Sequence, residues 1–379
     1  MKKVIIFRNQ LFKFSETFIT NQASKLTNYE PIFLGRERYN EATGNIENFA
    51  LEDIERQRKF PYKHWQIITR SPTYYVDLVK EVKAELIHAH FAVDGLCALP
   101  LAKKLGIPLI VTFHGFDATT NRKNLILSRS PSWINYAVLR KKLSQEGNFF
   151  ICVSEFIRKK VIALGFPEEK TVCHYIGIDT DHIRPSHIED GVIKVLHVAR
   201  LVEVKGTVYL LRALAKVAKV NIEYELTIIG EGPLKESLIE EAKKLKIEKN
   251  VKFLGKQSHD QVLLHMKETN IVILSSIRTR AGNEEGLPTV LMEASAAGKP
   301  IIGTNTGGVP EIIRHGDNGF ITTEKDEHDL AEKIIFLSKN YSRRREMGLA
   351  ARDHVIKNFN IDNQTKKLER IYDMVTTAS

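Results

Sequence analysis

Two successive doubly wound α/β domains are the fold class this sequence predicts. Short β-branched runs alternate with amphipathic stretches of helical length, which is the pattern of parallel α/β layers. The alternation pauses once, around Gly177 to Pro185, and then starts afresh. A length of 379 residues suits two domains of ordinary size.

In the first half the apolar runs 3–7, 31–34, 86–89, 108–113, 149–153 and 171–175 read as strands. Helical periodicity appears near 16–27, 72–84, 93–105, 131–146 and 155–164. Residues 36–60 are charged and aperiodic and read as a loop or a small irregular insertion. The polar stretch from Gly177 to Gly191 reads as a linker. Beyond it come strand 194–199, helix 206–219, strand 225–229, helix 234–246, strand 251–254, helix 259–268 and strand 271–274. Helix 288–297, strand 300–303, a short helix near 309–314, strand 319–321 and helices near 326–339, 342–358 and 361–375 complete the series. Two such domains in tandem put a ligand cleft between them.

Composition removes several classes. Apolar residues at 43% and charged ones at 27% are ordinary globular values, which excludes disordered, collagenous and coiled-coil chains. No apolar run approaches the roughly 18–20 residues of a spanning helix, and Val4 to Phe7 reads as a first strand rather than a signal-peptide core. Cys97, Cys152 and Cys173 are irregularly spaced in apolar surroundings, which suggests neither a disulfide framework nor a zinc site and fits a reducing cytosol. The net charge of +10 is uneven: residues 1–185 carry 27 Lys+Arg against 19 Asp+Glu, and residues 186–379 carry 29 against 27. A basic first half favours phosphorylated ligands, nucleic acid or an anionic membrane surface; a solvated charged face is the plainer account.

The strand ends carry the chemistry. Neither domain has G-x-G-x-x-G after its first strand, and Gly230-Glu231-Gly232 lacks the third glycine. A P-loop, G-x-S-x-G and H-E-x-x-H are also absent, which disfavours hydride transfer, P-loop hydrolysis and serine hydrolysis. Arg200 and Lys205 flank a strand-to-helix crossing that Gly206 makes tight. Two cations beside a helix N-terminus form a natural diphosphate site, although alone they also read as surface charges. Glu285 and Glu293 bracket a helix expected to start at Pro288. Such carboxylates accept from hydroxyls while the helix end attracts phosphate; a loop role and a salt bridge are the plain readings. Gly307-Gly308-Val309-Pro310-Glu311 forms another glycine loop at a strand end, or an ordinary turn.

Together the Arg200–Lys205 pair, the Glu285–Glu293 stretch and the Gly307–Glu311 loop resemble retaining glycosyltransferases of family four, with the GT-B fold, of the kind acting in bacterial exopolysaccharide or lipopolysaccharide assembly. Gly230 to Leu234, Val251 to Gly255 and Gly316 to Phe320 follow the family's order. In the first domain the likeness rests on His114-Gly115, Ser154-Glu155 and Gly177-Ile178-Asp179.

The resemblance implies an acceptor-binding domain over 1–184 and a nucleotide-sugar domain over 185–360, with a C-terminal helix at about 361–379 packing back on the first. It implies that Arg200 and Lys205 hold the diphosphate and Glu293 accepts the ribose hydroxyls. Glu285 would face the donor sugar, with backbone N–H groups near Gly286, Leu287 and Thr289 touching sugar or phosphate. Gly255 and Lys256 would meet the base, and His114 the sugar. Ala199 stands where the family often has glycine, and Ser15-Glu16-Thr17-Phe18-Ile19 replaces the glycine-rich loop of many relatives. Ser15, Glu16 and His90 are accordingly the acceptor-side candidates, Ser15 reading equally as a helix N-cap. His88 and His90 read as supporting the cleft wall, a metal pair being the lesser reading.

Asp179-Thr180-Asp181 mimics a metal motif but falls in the linker, so no obligatory metal or other cofactor is expected. The expected reaction moves a sugar from a UDP- or GDP-type donor to a glycan or lipid-linked saccharide, with no nucleic-acid partner. The expected site is the cytoplasm, peripheral on the inner membrane face, where Lys103-Lys104, Lys141-Lys142 and Lys159-Lys160 would meet anionic lipid. A non-catalytic sugar-nucleotide-binding protein and a GT-B phosphorylase are the alternatives.

Overall fold

The computed structural model describes residues 1–41, 46–58, 62–188 and 191–378. The chain forms two compact units, Met1–Gly177 with Ile361–Ser379, and Ile178–Asn360.

In the first unit the strands are β1 (Lys2–Phe7), β2 (Gln10–Leu11), β3 (Tyr29–Gly35), β4 (Glu37–Arg38), β5 (Asn48–Ala50), β6 (Leu86–His90), β7 (Leu109–Phe113), β8 (Phe149–Cys152) and β9 (Thr171–Cys173). Seven of them make one sheet in the order β5-β3-β1-β6-β7-β8-β9, with parallel pairing at each step. Strands β6, β7 and β8 are buried along their whole length. Helices on both faces of a parallel sheet demand that: β8 is continuously apolar, and β6 and β7 depart from it only at His88, His90 and Thr112, which are hydrogen-bonded.

The segment read as an irregular insertion is more ordered than expected. Strand β4 pairs with β2, β5 extends the main sheet beyond β3, and helix Leu51–Arg58 follows. Three-residue strands obey register with a neighbour, and no periodicity announces them. Residues 42–45 and 59–60 of that segment, and 189–190 of the expected linker, lie outside the described residues. Helices Tyr62–Thr69 and Arg122–Leu127 were also not expected.

Helix Ile361–Thr377 belongs to this unit. Its buried face carries Leu368, Tyr372 and Val375 in the core cluster with Tyr29 and Phe33. Tyr372 packs edge-on against Tyr29 at 5.1 Å. Glu369 accepts from the backbone N–H of Thr27 and Asn28 at 2.7 and 2.6 Å, so its burial is matched by hydrogen bonds.

The second unit holds β10 (Ile193–Val198), β11 (Tyr224–Ile229), β12 (Val251–Gly255), β13 (Ile271–Leu274), β14 (Ile301–Thr304) and β15 (Gly319–Thr322). The sheet runs β12-β11-β10-β13-β14-β15, all parallel. The order reverses between β10 and β13, so successive crossovers leave a crevice at the carboxyl ends of those two strands. Asp179 Oδ1 accepts from the N–H groups of Asp181 and His182 at 3.2 and 3.0 Å, a local turn of the kind aspartate favours.

Candidate active site

The second unit's reversal point gathers side chains from both flanking loops. After β10 the chain passes Ala199 and the exposed Arg200, turns through the short 3-10 helix Glu203–Lys205, and enters helix Thr207–Ala218 at Gly206. Gly206 has φ +58, and a Cβ there would lie 2.0 Å from the Ser275 carbonyl oxygen. No other residue lets this loop sit so close to the end of β13. Ile277 donates its N–H to the Val204 carbonyl at 2.8 Å, closing the two loops together.

Lys205 Nζ donates to Glu285 Oε1 at 2.6 Å across 80 residues of sequence. Ser276 Oγ, just beyond β13, donates to the same oxygen at 2.6 Å. Glu285 is buried. Burial pushes its carboxyl upward, but the Lys205 charge and hydrogen bond, with smaller help from Ser276 and Arg200, hold it below the ordinary range. The Gly307 loop fixes the backbone on the other side. Gly307 has φ +58 and approaches so closely that a Cβ would be 2.1 Å from the Glu285 carbonyl oxygen. The expected glycine loop is thus a clamp on Glu285.

Pro288 stands one position earlier than expected. It is the N-cap, with ψ 103, and the helix is Thr289–Ala296. Thr289 is half-buried at its first turn, while Gly286 and Leu287 are buried before it. Glu293 does not join Lys205; its Oε1 lies 3.0 Å from His259 Nε2. The hydrogen bond to Glu293 raises the His259 pKa above its usual value. His259 opens a helix, His259–Lys267, whose Ser258–Gln261 capping box fixes its start. Gly255, with φ +69, ends β12 and accepts from the Gly230 N–H at 2.8 Å, and Lys256 is exposed beside it.

The first unit has a reversal point of its own, between β1 and β6. Arg8, at the end of β1, donates to Glu16 through Nε and Nη2 at 2.8 and 2.9 Å and to Asp94 through Nη1. Asn9 donates to Asp94 as well, from its backbone at 2.9 Å and its side chain at 2.5 Å. Burial would lower the Arg8 pKa, but Asp94 and Glu16 raise it above its usual value. The Arg8 guanidinium also lies 4.4 Å over the Phe91 ring.

His90 Nδ1 and His114 Nε2 share a hydrogen bond of 3.0 Å, with rings stacked at 5.2 Å. His114 Nδ1 is buried with no partner among the described residues. His88 is held on both sides, by the Tyr372 hydroxyl and Thr112 Oγ1, each at 2.6 Å. Asp117 accepts the N–H groups of Ala92, Gly115 and His114 at 2.9, 3.0 and 3.2 Å and so shapes the turn on which His114 sits.

Of the acceptor-side candidates, Ser15 is exposed within the short 3-10 helix Phe14–Glu16 and caps no helix. Glu16 is engaged by Arg8, and His90 is buried against His114. Ser276, His259, Arg8, Asn9 and Asp94 escaped the sequence reading. Asp94 alone left a usable signal: a carboxylate inside the apolar run Ala92-Val93-Asp94-Gly95-Leu96 needs a buried partner.

Two doubly wound units, the second with a lysine–glutamate pair at its reversal point, make up the architecture of a GT-B glycosyltransferase. Comparison with known proteins supplies the family. The Glycosyl transferases group 1 profile matches residues 179–354, and the Glycosyltransferase Family 4 profile matches residues 27–182. The chain belongs to the family-four, group 1 glycosyltransferases.

It is 28% identical over 347 residues to the N-acetyl-alpha-D-glucosaminyl L-malate synthase of Bacillus anthracis, covering 88% of this chain and 86% of that one. It is 28% identical over 299 residues to an amylovoran biosynthesis glycosyltransferase of Erwinia amylovora, covering 78% and 71%. The solved structure of HepE from Anabaena, in complex with UDP and glucose, is similar in fold. Its TM-score is 0.76 at 18% identity, covering 99% of this chain and 100% of that one.

Proposed function

We propose that this enzyme moves a hexose-type sugar from a nucleoside diphosphate to a glycan or lipid-linked acceptor, with retention at the anomeric carbon, in the synthesis of a bacterial surface polysaccharide. One observation carries the reading: Lys205 Nζ sits 2.6 Å from Glu285 Oε1 at the reversal point of a doubly wound sheet. A cation and a carboxylate held side by side there match a ligand that joins a diphosphate to a hydroxylated sugar. The UDP and glucose bound to the Anabaena protein and the amylovoran role of the Erwinia relative support the donor and the product class.

In this reading Arg200 and Lys205 neutralise the departing diphosphate, helped by the N-terminus of helix Thr289–Ala296. Cationic side chains thereby do what a metal does in other transferases, which supports a metal-independent reaction. Glu285 accepts hydroxyls of the donor sugar and Glu293 those of the ribose. Glu285 Oε1 already accepts two hydrogen bonds, which makes it a poor covalent nucleophile. The bond from C1 to the diphosphate oxygen therefore breaks as the acceptor oxygen bonds to C1 from the same face. The acceptor proton passes to the departing phosphate oxygen, and a nucleoside diphosphate leaves. Within the first unit His114 is the candidate for a sugar hydroxyl, its Nδ1 having no partner among the described residues.

The test is a panel of UDP- and GDP-sugars with mass spectrometry of the acceptor product and of the released nucleoside diphosphate. The expected result is turnover with one donor, an unchanged anomeric configuration by NMR, and no loss on adding EDTA. Binding of sugar nucleotides without turnover across the panel overturns it in favour of a binding protein. An inverted product overturns the retention.

A further inference from the structure

Glu293 has a partner that the transfer chemistry does not account for. Its Oε1 lies 3.0 Å from His259 Nε2, and among the described residues no lysine or arginine pairs with it. Glu285, earlier in the same stretch, is held by Lys205 instead. One carboxylate is thus matched with a permanent cation and the other with an imidazole. A carboxylate only accepts, so Nε2 carries the proton of this hydrogen bond in either charge state of the ring.

The segment that presents His259 has a fixed shape. Gly255 turns the chain at φ +69. Gln257 Nε2 donates back to the Leu254 carbonyl at 2.9 Å. The Ser258 hydroxyl then accepts the Gln261 N–H at 3.3 Å, while Gln261 Oε1 accepts the Ser258 N–H at 3.0 Å. His259 follows at once and opens its helix, so its backbone is pinned by the turn before it and the capping box around it. The His259 side chain is 38% exposed and that of Glu293 16%. The imidazole therefore backs a carboxylate that still reaches solvent, and Glu293 Oε2 has no partner among the described residues.

We propose that His259 is a positioning residue of the nucleoside pocket: it holds the Glu293 carboxylate so that Oε2 accepts a ribose hydroxyl, and it thereby sets a preference for ribonucleotide over 2′-deoxyribonucleotide donors. The role rests on the donor reading given above, in which Glu293 receives the ribose. A long glutamate side chain that swings freely pays a severalfold cost in affinity when a ligand has to immobilise it. Holding Oε1 in advance removes that cost and aims Oε2 in one direction. An imidazole N–H steers the carboxylate without a permanent charge to cancel it, and hydroxyls donate more strongly to an ionised acceptor. A half-exposed pair of this kind adds little to stability, so its loss should register in ligand preference and not in melting.

Calorimetric titration of the full chain with UDP, GDP and their 2′-deoxy counterparts tests this. The parent should favour the ribonucleotide of the base it accepts by at least about tenfold, the order expected when a charged acceptor loses a hydroxyl donor. His259→Ala should cut that preference to about threefold or less, mainly through weaker binding of the ribonucleotide. His259→Gln, whose amide N–H reaches nearly the same place, should restore it. Melting temperatures of the three proteins should agree.

An undiminished preference in His259→Ala overturns the inference and leaves the donor reading standing. Equal losses of ribonucleotide and deoxyribonucleotide affinity, or no rescue by His259→Gln, overturn it in favour of a purely structural pair. A parent that binds both forms equally removes the ribose from Glu293 and overturns the role of His259 with it. Failure of the parent to bind either UDP or GDP overturns the donor reading itself and everything resting on it.

Discussion

Glu285 is kept ionised in a buried place by Lys205 and Ser276, and that tension makes sharp predictions. Lys205→Met keeps the length of the side chain and removes its charge. The carboxylate is then left buried with Ser276 as its remaining strong donor, and breaking such a pair costs about 3 kcal/mol or more. Transfer activity should fall by at least about a hundredfold, measured as released nucleoside diphosphate, because under the proposed function the diphosphate loses a cation as well; wild-type turnover would remove Lys205 from the site. The pH sign follows from the depressed carboxyl of Glu285. Its stabilising contribution is complete above the unfolded carboxylate value and is lost as pH falls through the lower folded one. Glu285→Gln should therefore flatten the acid limb of the melting curve, and an unchanged limb would show the carboxylate to be uncoupled from folding. What the sequence disclosed of this site was its pair of glutamates and its two cations, because they stand in recognisable loops. Ser276 and His259 stayed hidden because a hydroxyl after a strand and a histidine after a cap are common, and only the fold puts them against Glu285 and Glu293.

Elements were legible in proportion to how completely they are buried. Strands β6, β7, β8 and β13 lie wholly inside; the unbroken apolar runs of β8 and β13, and the nearly unbroken ones of β6 and β7, place them to within a residue or two. The short β4 and β5 were missed because an edge strand of two or three residues is defined by its partner and not by its own pattern. Helix Tyr62–Thr69 shows the same limit, having Tyr62 and Gln66 buried while Trp65 and Ile68 face outward. The loop Gly307–Glu311 belongs to this scale, since its meaning lies in the contact it makes. Gly307→Ala would place a methyl 2.1 Å from the Glu285 carbonyl oxygen at φ +58. It should cost about 1–3 kcal/mol and lower transfer by an order of magnitude or more through displaced Glu285. Denaturant melts and donor turnover check both. A stable variant with full activity would mean that the loop yields and that the clamp is not one.

Acid should divide the molecule into its two units. Burial lowers the pKa of His88 to about 3 and of His174 to about 4, and pushes His90 and His114 well down. All four belong to the first unit. Asp117 of that unit works the other way, burial having raised it to about 6. A histidine with a depressed folded value contributes fully above its unfolded pKa near 6.5 and loses that contribution as pH falls, because the unfolded chain binds a proton the folded one refuses. Each such group is worth up to about 1.4 kcal/mol per pH unit. With Asp117 offsetting them in part, the first unit should lose stability as pH falls below 6. In the second unit burial holds His197 near 4, and His187 and His354 are lowered less deeply. His259, raised by Glu293, opposes them. Calorimetry from pH 7 to pH 5 should accordingly show the transition of the first unit moving to lower temperature ahead of the second. His88→Gln, which keeps a hydrogen-bonding group near Tyr372 and Thr112, should recover about a quarter of the histidine-driven fall. Transitions that move together, or a second unit that melts first in acid, would mean that these buried imidazoles take up their protons without unfolding.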